Sequence, residues 1–172
     1  MDMLSLFARQ SDYNQWINRK LFSVCEAIPD SDRKKDMGAF FRSIHGTFNH
    51  LLVADRLWMS RFANSPFDFQ ALDQELFSDF VELRAEREIT DQAISRWIRS
   101  LTEAELGATI TYTSVVMGKE LKFSLADALL HFFHHQTHHK GQLTTLISQL
   151  GYDFGVTDLI CMPGVELEGQ LG

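Results

Sequence analysis

The chain has 172 residues, 45% of them hydrophobic, so it suits one domain with its own core and leaves no room for two ordinary ones. Its 23 Asp and Glu outweigh 16 Lys and Arg for a net charge of −7, which argues against a nucleic-acid binder with its basic face. Two distant cysteines, Cys25 and Cys161, exclude a disulfide framework or a CxxC metal knuckle.

The first helix is expected over residues 4–27. Leu6, Tyr13, Ile17, Leu21, Val24 and Ile28 follow the spacing of one helical face, and Pro29 ends it. Residues 30–36 form a solvated connector, with Asp36 as N-cap of a second helix over 37–63. Its stripe is Phe40, Ile44, Phe48, Leu51, Leu52, Asp55, Trp58 and Phe62. Asn64-Ser65-Pro66 stops it, and 64–73 reads as an irregular loop.

A third helix spans 75–101, with Leu76, Phe80, Leu83, Ile94, Trp97, Ile98 and Leu101 apolar. Arg84, Glu86, Arg87 and Glu88 mark its exposed face. Residues 108–123 alternate around Met117-Gly118-Lys119 and predict a β-hairpin. Ser124 caps a fourth helix that runs to about Leu150, before Gly151. The tail, 152–172, is expected to pack loosely, with a disordered end. The fold class is therefore all-α, a four-helix bundle with a small β-hairpin before the last helix. No signal peptide or membrane span is expected from the first ten residues or from any apolar run. Free cysteines suit a reducing, cytoplasmic setting.

Histidine is the unusual residue. Five of seven fall between His131 and His139. His131/His135/His139 and His134/His138 form two files at i, i+4, a spacing that lets two imidazoles on one helix reach one ion. With His131 at zero and about 100° per residue, the apolar positions of this helix centre near 115°. His139 then falls at about 80° and His135 at about 40°, so these two point inward, whereas His134 and His138 should be wet. A third ligand must come from a neighbouring helix, and both His45 and His50 sit at the margin of the second helix's apolar arc. Asp55 falls inside that arc. A buried carboxylate there needs a partner, either a ligand imidazole or an arginine. Helix four supplies no Glu-x-x-His motif, which disfavours a di-iron bundle.

His50-Leu51-Leu52-Val53-Ala54-Asp55-Arg56-Leu57-Trp58 and the stretch Leu130 to Gln142 resemble the helix-two and helix-four motifs of the DinB (damage-inducible, YfiT-like) metal-binding family. The hairpin and the Leu150-Gly151 ending with Val156-Thr157-Asp158 also fit, so the resemblance covers essentially the whole chain, 1–172, as a single domain. It implies an up-down-down-up bundle in which His50, His135 and His139 bind a divalent metal. Asp55 and His131 would stand in the surrounding shell. The choice of His50 over His45 rests on the resemblance. His134 stands where the family pattern has Asn.

Three neutral imidazoles leave an open coordination position and do not specify Zn, Ni, Fe or Mn. The resemblance implies a metal-dependent thiol S-transferase using a low-molecular-weight thiol. A metal-hydroxide hydrolase, or a non-catalytic, stress-linked metal-binding scaffold, are the alternatives. No catalytic base is identified beyond Asp55. Arg56, Arg61 and Lys140 read as solvated surface, with a cosubstrate carboxylate as their alternative partner. Cys25 and Cys161 read as packing residues. A homodimer is implied, without nucleic acid or membrane.

Overall fold

A computed structural model describes residues 1–114 and 117–165. Four long helices make the bundle: α1 (Met3–Glu26), α3 (Ile44–Phe62), α4 (Phe80–Ser100) and α6 (Leu125–Gln149). Two single-turn helices, α2 (Asp30–Arg33) and α5 (Glu103–Leu106), sit in the connections. Each long helix starts at a side-chain cap. Asp2, Ser43, Asp79 and Ser124 accept from the amides of Ser5, Gly46, Glu82 and Asp127.

Pairs across the interfaces give the helix directions. Phe7 meets Phe133 and Asn14 meets Lys140, so α1 and α6 run parallel. Asp12 meets Arg99 and Glu26 meets Arg84, so α1 and α4 are antiparallel. His50 meets His135 and Trp58 meets His131, so α3 opposes α6. Asp55 meets Arg87 and Phe62 meets Trp97, so α3 and α4 are parallel. This is the up-down-down-up order. Strands β1 (Thr109–Thr113) and β2 (Glu120–Ser124) pair antiparallel, Thr109 opposite Ser124, and pack beside α6. Residues 115 and 116 of the expected hairpin lie outside the described residues.

Two helix starts differ from expectation. The second long helix begins at Ile44, not at 37. Asp36 caps a turn, accepting from Gly38 N at 2.9 Å, and the expected stripe residue Phe40 is 84% exposed. Residues 37–43 fold back instead, closed by Met37 N to Arg42 O and Arg42 N to Ala39 O, both 2.8 Å. The third begins at Phe80, not at 75, because Leu76 and Phe77 belong to the crossover from α3. Asn49 holds that crossover. Its Oδ1 accepts from the amides of Leu76 and Phe77, and its Nδ2 donates to the carbonyls of Phe77 and His45.

The core is in two apolar parts. One is built around Ile17, Leu21, Phe22, Phe48, Leu83 and Ile147, the other around Phe7, Trp58, Ile94, Leu129 and Phe132. A buried polar network joins the four helices in the same interior. Arg87 pairs with Asp55 at 2.7 Å and with Asp91 at 2.8 Å. Asn18 Nδ2 lies 3.0 Å from both Asp91 oxygens. Lys140 Nζ donates to Asn14 Oδ1, and Gln136 Nε2 donates to Asp55 Oδ1. With both acids and both bases ionised, the four charges cancel. Arg87 and Lys140 are thus interior residues, where the charge pattern had suggested surface. The reason is that each has a carboxylate-bearing or amide partner buried with it.

The tail is more tightly held than expected as far as it is described. Tyr13 Oη donates to Thr157 O at 2.8 Å, Lys20 donates to Val156 O, and Met162 is buried. Residues 166–172, whose disorder was expected, lie outside the described residues. No described helix is long and apolar enough to cross a membrane.

Candidate metal centre

The antiparallel contact of α3 and α6 brings His50 against His135 and His139. Their ring nitrogens lie within 4.8 Å of one another. His135 Nε2 is 3.2 Å from His50 Nε2 and 3.1 Å from His139 Nε2. The helix accounts for the pair on α6, since residues four apart share a face. His50 reaches them because α3 presents it about two turns past the Ser43 cap and Asn49 fixes the loop above it.

Hydrogen bonds orient two of the rings. His50 Nδ1–H donates to Leu72 O at 2.8 Å, and His139 Nδ1–H donates to Gln142 Oε1 at 2.8 Å. Neutral rings held this way present bare Nε2 lone pairs to the centre. Both lone pairs aim at His135 Nε2, whose single proton could satisfy only one of them. A cation satisfies all three. The two contacts of His135 come close to the spacing in four-coordinate zinc, where bonds of ~2.0–2.1 Å set the nitrogens roughly 3.3–3.4 Å apart.

Electrostatics also favour neutral rings. Burial, followed by the neighbouring imidazoles, pushes His135 down to about 3. Burial pushes His50 down to about 4, against the Leu72 carbonyl, which works the other way. His139 is lowered by burial as well. Phe41 seals one side, its ring stacked on His50 with centroids 3.6 Å apart. Gly46 permits this approach, because a Cβ there would lie 2.3 Å from Phe41 O. On the other side the histidines open into a cleft of about 650 Å³, walled by Phe40, Phe41, Arg42, Leu72, Asp73 and Gln142.

The other candidate residues lie elsewhere. His45 is buried against the crossover, with Nε2 2.9 Å from Phe77 O, and takes no part in the cluster. Asp55 faces Arg87 and Gln136, not an imidazole, which selects the arginine alternative for its partner. Burial raises its carboxyl to about 6 against the pull of Arg87. His131 is exposed and lies beside Trp58 with the rings tilted, its ring 6.1 Å from that of His135. His134 and His138 are exposed, as the helical wheel predicted.

Lys140 is inaccessible to a ligand, Arg56 is paired with Glu86 at 2.5 Å, and Arg61 lies over Tyr112 and Trp58. Cys25 is buried, its thiol pushed up to about 12 by that burial. Cys161 is exposed, so it does not fill the packing role expected of it. Sequence reasoning missed Phe41, Arg42 and Asp73, which come from connections with no periodic signal. The pair Phe41–Gly46 at a helix start was their one visible trace.

The DinB family model matches residues 4–166. The protein DinB of Bacillus subtilis (strain 168) is 26% identical over 152 residues, which cover 86% of this chain and 87% of that protein. The crystal structure of a DinB-like protein from Bacillus cereus ATCC 10987 superposes with a TM-score of 0.58 at 15% identity, over 81% of this chain and 89% of that one. Sequence motifs, bundle order and a match over nearly the whole length agree that the chain belongs to the DinB family.

Proposed function

We propose that this protein binds a divalent metal through Nε2 of His50, His135 and His139 and uses it in thiol S-transfer. The observation that carries the reading is the convergence of three Nε2 atoms at 3.1–3.2 Å contacts, two of them with their Nδ1 protons already committed. A bound divalent ion would lower the pKa of a thiol or water at its open position and so supply a nucleophile near neutral pH. The chain's own residues do the rest. Leu72 O and Gln142 hold the rings in register, Phe41 keeps water from one side, and the cleft admits the reactants from the other. Neither Zn, Ni, Fe nor Mn is favoured by three imidazoles alone.

The purified protein is expected to carry a stoichiometric divalent ion. His50→Ala, His135→Ala and His139→Ala should each remove it without unfolding the bundle. The loaded protein is then expected to conjugate a small thiol to an electrophile. Metal retained in all three variants would refute the site, whereas metal without turnover would leave the scaffold reading in its place. The reading also includes a homodimer, supported by Val81 and Ile89 left exposed on α4, and a reducing, cytoplasmic setting, supported by two free cysteines. Light scattering tests the first.

A further inference from the structure

The cleft beside the histidines carries two opposite charges that are not spent on each other. Arg42 is the one Lys or Arg lining it and Asp73 the one carboxylate. Among the described residues, neither side chain makes an ion pair or hydrogen bond, and both are exposed where they line the cleft.

Arg42 is also backbone-strained. Its φ is +65°, one of two non-glycine residues in the left-handed region among the described residues. A non-glycine side chain there is uncommon, and such positions persist only where their surroundings over-determine them. Here they do. Both backbone groups of Arg42 are tied, to Ala39 O and Met37 N, and the preceding carbonyl is seated on Gly46. Glycine at position 42 would relieve the strain, yet the chain keeps a guanidinium over the cleft. Asp73 comes from the crossover, next to Leu72, whose carbonyl orients His50. The two charges therefore flank the histidines from separately anchored segments.

We propose that this cleft recognises a small amino-acid-type zwitterion, with Arg42 taking its carboxylate and Asp73 its ammonium, while a third group of the ligand faces the three histidines. This rests on the metal centre proposed above. A guanidinium suits a carboxylate by its two parallel donors, and an aspartate suits an ammonium as acceptor. Phe40 and Phe41 leave an apolar wall between them for the ligand's carbon skeleton.

The test uses the full chain loaded with cobalt(II), whose visible absorption reports thiol binding. Four small thiols vary the charge they carry: 2-mercaptoethanol none, 3-mercaptopropionate a carboxylate, cysteamine an ammonium and L-cysteine both, and each affinity is compared between wild type and variant so that differences in thiol acidity cancel. In wild type, each added charge should tighten binding by roughly two- to fivefold, the range for an ion pair with an exposed side chain. Arg42→Ala should erase the preference for 3-mercaptopropionate over 2-mercaptoethanol, and Arg42→Lys should restore part of it. Asp73→Asn should erase the preference for cysteamine.

All variants should bind 2-mercaptoethanol as wild type does. Equal binding of all four probes would overturn the charge pairing and leave the thiol reading standing. A preference for L-cysteine that survives both substitutions would be chelation by the amino acid and would overturn it too. No spectral change with any probe would overturn both readings.

Discussion

His50 and His135 show how burial prepares a site before any ion arrives. Their rings sit at about 4 and about 3, against an ordinary value of roughly 6.5, so each takes up a proton on unfolding in mildly acidic solution. A depressed folded value means that stability is complete above the unfolded pKa and drains away as pH falls toward the folded one. The metal-free protein should therefore lose stability as pH falls from about 6.5 to about 3, and urea melts in chelator should show it. His50→Gln or His135→Gln should flatten that slope.

Gly46 is the second decisive residue. Gly46→Ala would put a methyl 2.3 Å from Phe41 O, which is backbone and cannot step aside alone. We expect a loss of about 2 kcal/mol or more. Metal affinity should fall with it as Phe41 lifts off His50, and thermal melts with metal competition would separate the two effects. The helical wheel had found the inward pair on α6 from spacing alone. It could not choose between His45 and His50, because that choice is made by the crossover, whose carbonyls at Phe77 and Leu72 receive one ring each.

At the scale of elements, apolar spacing located the four long helices and missed two of their starts. Phe40, Phe41, Leu76 and Phe77 imitate helical periodicity while lying in folded-back or crossing segments. Ser43 and Asp79 were the physical start signals, each with a short polar side chain that satisfies a first-turn amide. Asn49 then decides where the crossover lies, with four hydrogen bonds from one buried side chain. Asn49→Ala should cost about 2–4 kcal/mol, since it strands buried backbone groups. Limited proteolysis should then cut within 63–79 while the bundle stays helical.

For the whole molecule, the interior network of Asp55, Arg87, Asp91, Asn14, Asn18, Gln136 and Lys140 is the main feature that composition concealed. Arg87 lies between Leu83 and Ile94 on the same stripe, and the spacing was visible. A charge was read as surface because an unpaired one would be. Of its two partners, Asp91 lies one turn on along α4 and Asp55 comes from α3, while Asn18 of α1 and Gln136 of α6 bind those acids in turn, and a single stripe does not reveal them. Arg87→Met should cost about 3–5 kcal/mol, because it leaves Asp55 and Asp91 buried without a counter-charge. Replacing Asp55, Arg87, Asp91 and Lys140 together with apolar residues of similar size should cost far less, and equilibrium urea unfolding of both variants makes the comparison. Gln136 and Lys140 each follow a cluster histidine by one residue, so the network also sets how α6 is turned. The fourfold variant should accordingly keep its stability better than its metal affinity.

The connection between the two parallel helices has a consequence for how the protein can diverge. Running α3 and α4 in the same direction obliges the chain to return along the bundle's full length, whatever the protein is for. That obligatory stretch passes over the histidines and orients His50 through Leu72 O, a main-chain atom that almost any residue would supply. The ring's alignment is thus indifferent to the side chains beside it. Asp73 and its neighbours are free to change without disturbing the core or the imidazoles, so new ligand preferences can be explored by drift in a loop while the chemistry beneath stays inherited.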